Sequence, residues 1–384
     1  MARNDERDVT IGHTASVPPA SLGLDARGRL VTQATGSVGE DGRVKKIGFL
    51  SFGHWGPSPS SRVLTASDAL LQSVELAVAA EEVGADGAYF RVHHYAAQLG
   101  SPFPLLAAAG TRTSRIELGT AVIDMRYENP LYMVEDAGAA DLLAGGRLQL
   151  GISRGSPEQV IDGWRYFGYQ AAEGQTDADM ARSHTQVFLD LLRGEGFAEP
   201  NPQPMFPNPP GLLRLEPHSP GLRDRIWWGA ASAETASWAA GLGMNLMSST
   251  LVFDDASGDP FHVVQARHIE AFRDAWKEAG HEREPRVSVS RSIFAIVNDL
   301  DRRYFGGGRG DGDHVGYIDE STRAIFGRTY AAEPDALVEQ LAQDEAIAAA
   351  DTLLLTVPSQ LGVEYNAHVV ESVVKHVAPA LGWR

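Results

Sequence analysis

Short apolar runs alternate with helical segments along most of the chain, and this alternation limits the possible folds more than any other feature. The first run, KKIGFLSF, is bounded by glycine and proline and is typical of a strand that is covered on both faces. Seven further runs follow, namely GAYF, RIELGTAVI, RLQLGIS, RIWWGA, NLMSST, PRVSVSRSIFAIV and DTLLLTV. The chain therefore consists of repeated strand–helix units.

Eight such units in about 340 residues, with no run of hairpins, predict an α/β fold of one kind: a single (β/α)8 TIM barrel with insertions rather than an open doubly wound sheet. We predict that residues 45–384 form the barrel domain. Residues 1–44 are rich in Gly, Ser, Pro and charge, so we expect a loosely ordered N-terminal extension there. The insertion NPQPMFPNPPG is too rich in proline for a central strand, because proline cannot donate a ladder hydrogen bond.

Capping residues suggest where two of the helices begin. The helix after the first strand is expected to start with Ser67 as its N-cap and to end at Gly84. Its apolar positions at helical spacing are Leu70, Val74 and Val78. After the fourth strand, Ser156 is a candidate cap with Pro157 in the first helical position, which predicts a helix directly after that strand.

Composition and charge exclude several classes of function. The chain has 33 Lys and Arg against 50 Asp and Glu, a net charge of −17, so its field repels nucleic-acid backbones and anionic lipid. No apolar run approaches a membrane span and the N-terminus is charged, so we expect a cytoplasmic protein without a membrane or nucleic-acid partner. The absence of cysteine excludes disulfides, thiolate nucleophiles and Cys-ligated metals.

The ends of the strands give little support for hydrolysis. In barrels of this type the chemistry lies where strands end and the following loops begin. A glycosidase needs two carboxylates about 5–10 Å apart, and the candidates Asp124 and Glu128 both follow the same strand. His93 and His94 are adjacent and no second His cluster follows another strand, so we predict no metal site. The Gly-x-Ser-x-Gly string in GISRGS is a weak match to a nucleophile elbow.

Two neighbouring loops instead resemble a phosphate site. Arg154 leaves the fourth strand, and the residues from Ser232 to Thr235 open the helix after the fifth strand. Helix N-termini and arginine both favour a phosphate dianion. The alternative is that the two hydroxyl residues are ordinary caps and that Arg154 forms a surface ion pair. A Gly-x-Gly-x-x-Gly motif between a strand and a helix is absent, so a self-contained dinucleotide domain is not predicted.

Other residues near the strand ends leave their roles open. His93 and His94 end the second strand, where one of them could act as a base or donor, or both could be satisfied by core hydrogen bonds. The glycine-rich stretch at 306–313 follows the seventh strand and is expected to lack rigid structure, either as a lid or as a passive insertion. Aromatic residues that could form pocket walls, or pack in the core, are Trp55, Phe103, Tyr127 and Trp164.

One long string resembles a known family. GTAVIDMRYENPLYMVEDAGAADLLAGGRLQLGISRGS resembles the bacterial luciferase-like, flavin-dependent monooxygenase family. RVHHY after GADGAYF is similar to that family's second-strand ending with paired histidines, and ASAETASWAAGLG is similar to its fifth-strand phosphate loop. The resemblance extends over roughly residues 45–384.

The resemblance implies a (β/α)8 barrel that binds reduced FMN delivered by a separate, transiently bound flavin reductase. By the same resemblance, His93 is the catalytic histidine, and a non-prolyl cis peptide beneath the flavin falls at Ala121 and Val122. The implied cofactor-binding residues are Ala121, Val122, Arg154, Ser232, Ala233 and Thr235. Reduced FMN would react with O2 at its C4a carbon to give a peroxyflavin, which would oxygenate a small substrate such as an aldehyde or ketone.

Two departures from the family pattern affect what can be inferred. Val92 stands where the family has an acidic residue before the paired histidines, and Ala231 stands where it has a glutamate that pairs with the phosphate-binding arginine. The resemblance therefore does not imply light emission. Two alternatives stay open: a deazaflavin-dependent hydride-transfer oxidoreductase on the same barrel, and a non-catalytic flavin-binding partner subunit.

The resemblance also implies a homodimer formed by helices near the second and third strands. Small residues on the third helix would permit close helix contact at such an interface, but they can equally pack on the strands. These residues are Ala137, Ala140 and Ala144.

Overall fold

The computed structural model describes residues 45–155, 159–253, 256–307, 312–317 and 323–383, and two short strands nearer the N-terminus. Those two strands, Leu22–Leu24 and Leu30–Thr32, pair antiparallel with each other. The rest of the predicted N-terminal extension lies outside the described residues.

Eight parallel strands form a closed barrel in chain order. They are β1 (Lys46–Ser51), β2 (Gly87–Phe90), β3 (Glu117–Asp124), β4 (Leu148–Ser153), β5 (Ile226–Ala230), β6 (Asn245–Ser248), β7 (Val287–Ala295) and β8 (Thr352–Val357). The barrel closes because β8 pairs with β1 along its whole length, while β7 pairs with both β6 and β8. The predicted (β/α)8 barrel is confirmed, and each of the eight predicted runs contains one strand.

Helices connect the strands and cover the barrel. They are α1 (Ala66–Glu82), α2 (Pro102–Arg112), α3 (Pro130–Leu143), α4 (Asp177–Leu191), α5 (Ala233–Gly241), α6 (Phe261–Ala279), α7 (Asp299–Phe305), α8 (Pro334–Ala342), α9 (Glu345–Ala349) and α10 (Val363–His376). Among the residues described, none of these helices has the length and apolar character needed to cross a bilayer.

The strands are mostly apolar because both of their faces are buried. In β1, Ile47 and Phe49 point outward into the layer between strands and helices. Leu50 points inward, because successive side chains of a strand alternate between its faces. The inward cluster inside the barrel comprises Leu50, Tyr89, Trp227, Met247 and Leu354.

A partly buried ionic group closes the N-terminal end of the barrel. Arg286 donates from both terminal nitrogens to Glu117, at 3.0 Å each, and its guanidinium lies 4.9 Å from the centre of the Trp227 ring. Lys46 also pairs with Glu117. Burial alone would raise the pKa of Glu117, but the two cations outweigh it and the pKa is lowered.

The predicted N-cap of α1 is wrong. Its N-cap is Thr65, which forms a capping box with Asp68, rather than Ser67. Leu70 is 44 % exposed. The helix instead buries Ala69, Ser73, Leu76, Ala77 and Ala80. Gly84, with φ +95°, follows the end of the helix as predicted.

The helix predicted directly after β4 is also wrong where the structure describes it. Its cap Ser156 and the following Pro157 lie outside the described residues. Residues 159–162 form bends and turns, a 3-10 helix covers Gly163–Phe167, and α4 begins only at Asp177. Residues in the left-handed region on both sides of the 3-10 helix, Asp162 (φ +50°) and Gly168 (φ +90°), interrupt a helical path.

The segment after β7 is more ordered than the sequence predicted. His314–Tyr317 pairs with Arg323–Phe326, which pairs with Leu251–Phe253 after β6, so a small antiparallel sheet joins the two loops. The Asp313 carboxylate accepts the first backbone N–H of α6, from Phe261, at 2.7 Å. Within the stretch 306–313, for which a lack of rigid structure was expected, Asp313 is held by this hydrogen bond, and residues 308–311 lie outside the described part.

The alanines of α3 pack within the chain. Ala137, Ala140 and Ala144 are all buried, and a Cβ added to Gly110 of α2 would lie 2.8 Å from the Cβ of Ala144. Their small size lets α2 and α3 approach each other closely on the barrel. They therefore do not form the surface that a partner chain would contact.

Candidate active site at the carboxyl ends of the strands

The two predicted phosphate loops leave neighbouring strands at the same end of the barrel. β4 and β5 are paired in parallel, with Ile152 opposite Trp228. Arg154 follows two residues after Ile152 and is exposed. Ser232 follows four residues after Trp228 and is half-buried. The fold thus brings the segments that carry Arg154 and Ser232 to adjacent strand ends, as the sequence predicted.

The N-terminus of α5 presents hydroxyl groups and backbone donors together. Ser232 is its N-cap and accepts a hydrogen bond from the backbone N–H of Thr235 at 3.4 Å. The hydroxyl oxygens of Ser232 and Thr235 are 3.1 Å apart, and Ala233 is the first helical residue. Of the two hydroxyl residues, Ser232 is a cap and Thr235 lies within the first turn. This arrangement also suits an anion, because the helix end carries a partial positive charge.

A second guanidinium near this helix was not predicted from the sequence. Arg182 of α4 lies over the Trp238 ring at 5.5 Å and 3.9 Å from the carboxylate of Glu234. It is separated from α5 by about 50 residues, so no local motif points to it. Only the packing of α4 beside α5 reveals a second cation there.

The peptide between Ala121 and Val122 is cis, as the family resemblance implied. It lies within β3, where the pairing with β4 shifts register between Thr120 and Ile123. Both residues pack against the apolar cluster inside the barrel. Gly229 of β5 permits this packing, because a Cβ there would lie 3.0 Å from Val122 Cγ1. The role of this peptide in supporting a flavin stays a prediction.

His93 lies in a basic environment at the ends of β1 and β2. It is 8 % exposed, and its Nδ1 is 3.2 Å from the carbonyl oxygen of His94. The Phe52 ring stacks on His54 at 5.8 Å and also lies 5.1 Å from the Arg91 guanidinium. Burial lowers the pKa of His54, and the charges of Arg91 and His93 lower it further.

His94 lies in an aromatic cluster. Its ring stacks on Tyr127 at 4.2 Å, and Phe167 contacts both rings edge-on at 5.1 Å. The two histidines therefore have different surroundings. Of the predicted aromatic walls, Tyr127 and Trp164 meet at 6.4 Å, whereas Phe103 packs in the outer core.

The two carboxylates that follow β3 have separate environments. Asp124 is 3 % exposed and is bound by the side chain of Arg126. Glu128 lies just before α3, and burial raises its pKa to about 7, with the charges of Asp124 and Asp136 adding to the effect. Among the described residues, there is no group of three or more His, Asp or Glu side chains that could hold a metal ion.

A small cavity of about 20 Å³ lies between the end of β1 and helices α1 and α10. Its lining includes Ser51, His54, Ser73, Ser359 and Asn366. A space of this size holds about one water molecule. It lies outside the barrel and is too small for a flavin.

Known proteins resemble this chain in sequence and in fold. Residues 46–349 match the luciferase-like monooxygenase family. The chain belongs to this family.

Two curated relatives illustrate the similarity. The alkanal monooxygenase alpha chain of Photorhabdus laumondii subsp. laumondii is 24 % identical over 223 residues, 56 % of each chain. The 4-hydroxyprotoasukamycin monooxygenase of Streptomyces nodosus subsp. asukaensis is 36 % identical over 125 residues, 32 % of this chain and 31 % of that one. The chain spans about half the length of the first curated relatives it matches.

Solved structures share the fold. The oxygenating constituent of 3,6-diketocamphane monooxygenase from Pseudomonas putida, in complex with FMN, has a TM-score of 0.62 at 19 % identity over 88 % of this chain and 98 % of that chain. The coenzyme F420-dependent tetrahydromethanopterin reductase of Methanopyrus kandleri has a TM-score of 0.57 at 16 % identity, over 88 % and 99 %. At these identities the likeness concerns the fold alone.

Proposed function

We propose that this chain is an FMN-dependent monooxygenase that uses reduced FMN and O2 to oxygenate a small organic substrate such as an aldehyde or ketone. The observation that carries the proposal is the position of Arg154 and the α5 N-terminus at adjacent strand ends. A guanidinium, two hydroxyls and a helix N-terminus suit a terminal phosphate. Family membership supports the same chemistry.

The residues present fit FMN. Arg154, Ser232 and Thr235 would hold its phosphate, with the backbone N–H groups of the first turn of α5. The half-buried Ala121 and Val122 border the apolar interior of the barrel and would face the ring system. When bound, reduced FMN supplies the reaction with O2 and the transfer of one oxygen atom.

This chain's own residues would control water and protons. The inward cluster below the strand ends is apolar and buried, which keeps water from the lower side of the site. A neutral His93 ring that donates from Nδ1 to the carbonyl of His94 has Nε2 as its acceptor, so it can take up and return a proton there.

The phosphate site is tested by titrating the protein with reduced FMN under anaerobic conditions. Arg154→Ala should weaken binding about ten- to a hundredfold, the value of one charge-assisted hydrogen bond or slightly more. Arg112→Lys, in an exposed ion pair on α2, is the control and should change nothing. Unaltered binding by Arg154→Ala would contradict the proposal. Tighter binding of a reduced deazaflavin, with anaerobic turnover, would favour the hydride-transfer alternative.

The role of His93 is tested by measuring the coupling between O2 consumption and product formation. His93→Ala should keep FMN affinity but increase the hydrogen peroxide released per O2 consumed, because the proton at the reacting centre is no longer controlled. Mass spectrometry of products formed with labelled O2 identifies the oxygenated substrate. Coupling equal to that of the unmodified protein would remove the assigned role. Peroxide without any substrate oxidation, across a broad panel, would favour a non-catalytic subunit.

Two partners complete the proposal: a flavin reductase that delivers reduced FMN, and a second copy of this chain. Support for a homodimer comes from exposed apolar side chains on α3. They form two pairs, and the members of each pair are eleven residues, or about three helical turns, apart, so they share one face. They are Leu131, Tyr132, Leu142 and Leu143, each at least 43 % exposed. Light scattering after size-exclusion chromatography should show twice the chain mass, and Tyr132→Asp should shift it toward the monomer.

A further inference from the structure

The Asp124–Arg126 pair lies beneath the loop that carries Arg154. The Asp124 carboxylate accepts from Arg126 Nε at 3.0 and 3.1 Å, from its Nη2 at 2.6 Å, and from its backbone N–H at 3.0 Å. Both side chains are almost fully buried, Arg126 at 5 % exposure. A buried pair with two-pronged geometry holds its place, because breaking it leaves an uncompensated charge.

Arg126 also ties this pair to two other segments. Its Nη1 donates to Asp177 at the start of α4, at 2.9 Å. Its guanidinium lies over the Trp164 ring, 4.7 Å from the ring centre. The position of the guanidinium is therefore fixed from several sides, by the end of β3, by α4 and by the 3-10 helix that follows β4.

Both neighbours of Arg154 are held by this arrangement. Ser153 lies opposite Asp124 in the β3–β4 pairing, and its carbonyl accepts from Met125 at 3.0 Å. Gly155, with φ +88°, lies directly against the pair. A Cβ there would overlap the Asp124 carboxylate and come within 2.7 Å of Arg126 Nη2. The Gly155 N–H donates to Ser153 Oγ at 2.8 Å, which closes the turn around Arg154.

We infer that the Asp124–Arg126 pair is a positioning element for Arg154, which supports the backbone of residues 153–155 and so sets where the Arg154 guanidinium meets a bound phosphate. This inference rests on the proposed function. Arg126 itself is bound to two carboxylates and acts through Arg154 rather than on the ligand. Gly155 belongs to the same positioning element, because any side chain there would clash with the Asp124–Arg126 pair and displace the turn.

The test compares FMN with riboflavin, which lacks the phosphate, by anaerobic titration of both reduced ligands. Arg126→Lys keeps the charge but cannot bind two carboxylates with fixed geometry, and Gly155→Ala displaces the turn without removing a charge. Each substitution should weaken the binding of FMN about tenfold and the binding of riboflavin less than about twofold. In an Arg154→Ala background neither should weaken FMN further, because residues in one unit are not additive. Arg112→Lys is the control.

Three results separate the outcomes. Equal losses for FMN and riboflavin, or a full-sized loss in the Arg154→Ala background, would overturn the positioning role and leave the phosphate site intact. An FMN-to-riboflavin ratio unchanged by Arg154→Ala itself would refute the proposed phosphate site, and this inference with it. Thermal melting curves show which variants are folded, and Gly155→Ala keeps the test decisive if Arg126→Lys does not fold.

Discussion

Replacing Glu128 by glutamine should stabilise the protein at neutral pH. The Glu128 carboxyl lies between β3 and α3, and burial, followed by the charges of Asp124 and Asp136, raises its pKa from 4.5 to about 7. The folded protein therefore holds this proton more tightly than the unfolded chain does. Above the raised pKa the fold must accommodate a buried charge, which glutamine avoids.

The size of the effect follows from linkage. A shift from 4.5 to about 7 corresponds to about 3 kcal/mol. Because the folded pKa lies above the unfolded one, the stabilising contribution of Glu128 is complete below pH 4.5 and is lost as the pH rises to about 7. Between about pH 5.5 and 8.5, the advantage of Glu128→Gln over the unmodified protein should grow by about 2 kcal/mol.

Urea denaturation at a series of pH values measures this difference in the free energy of unfolding. Every pH in the series is kept above the sequence pI of 5.1. Glu339→Gln, at an exposed position of α8, is the matched control and should give a difference that does not vary with pH. A Glu128→Gln difference that stays flat over the same range would refute the reasoning. So would an unmodified protein that is the more stable of the two at the alkaline end.

Two further substitutions test the fold. Glu117→Gln leaves the partly exposed Arg286 and Lys46 without their countercharge at the end of the barrel and should cost about 1–3 kcal/mol in urea denaturation. Since the fold lowers the pKa of Glu117, its contribution is present above the unfolded pKa and is lost as the pH falls below it, so the cost should shrink in acid; a constant cost would contradict the ionic role. Phe188→Ala, in the fully buried face of α4, should cost about 3–5 kcal/mol in thermal or urea unfolding, and a loss below about 1 kcal/mol would contradict its packing.

The strands were predictable because their apolar pattern has a local cause. Each barrel strand is covered by helices outside and by the inward cluster inside, so apolar residues predominate in it, and such runs are visible in the sequence. The helices were less well placed. Thr65 caps α1 instead of Ser67, because Thr65 and Asp68 together satisfy backbone N–H groups at the start of the helix in a capping box.

In the candidate site, too, some features could be predicted from the sequence and others could not. Arg154, Ser232 and the cis peptide at Ala121–Val122 were predicted because they lie in motifs continuous in sequence. The bond between Asp124 and Arg126 was not predicted, although the residues are only two apart, because nothing local indicates that both are buried. The contact of this pair with Gly155 and the approach of Arg182 to α5 were also missed.

The sequence by itself determined the order of strands and helices, the barrel, and which loops carry the candidate phosphate ligands, since these depend on local periodicity and short motifs. The tertiary structure alone decided which charges are buried together, how far Glu128 is from its usual proton affinity, and what supports the turn at Arg154. Those properties depend on burial and on distances between segments far apart in the chain. The free energy of a charge depends on the groups that surround it in space more than on the residues next to it in sequence.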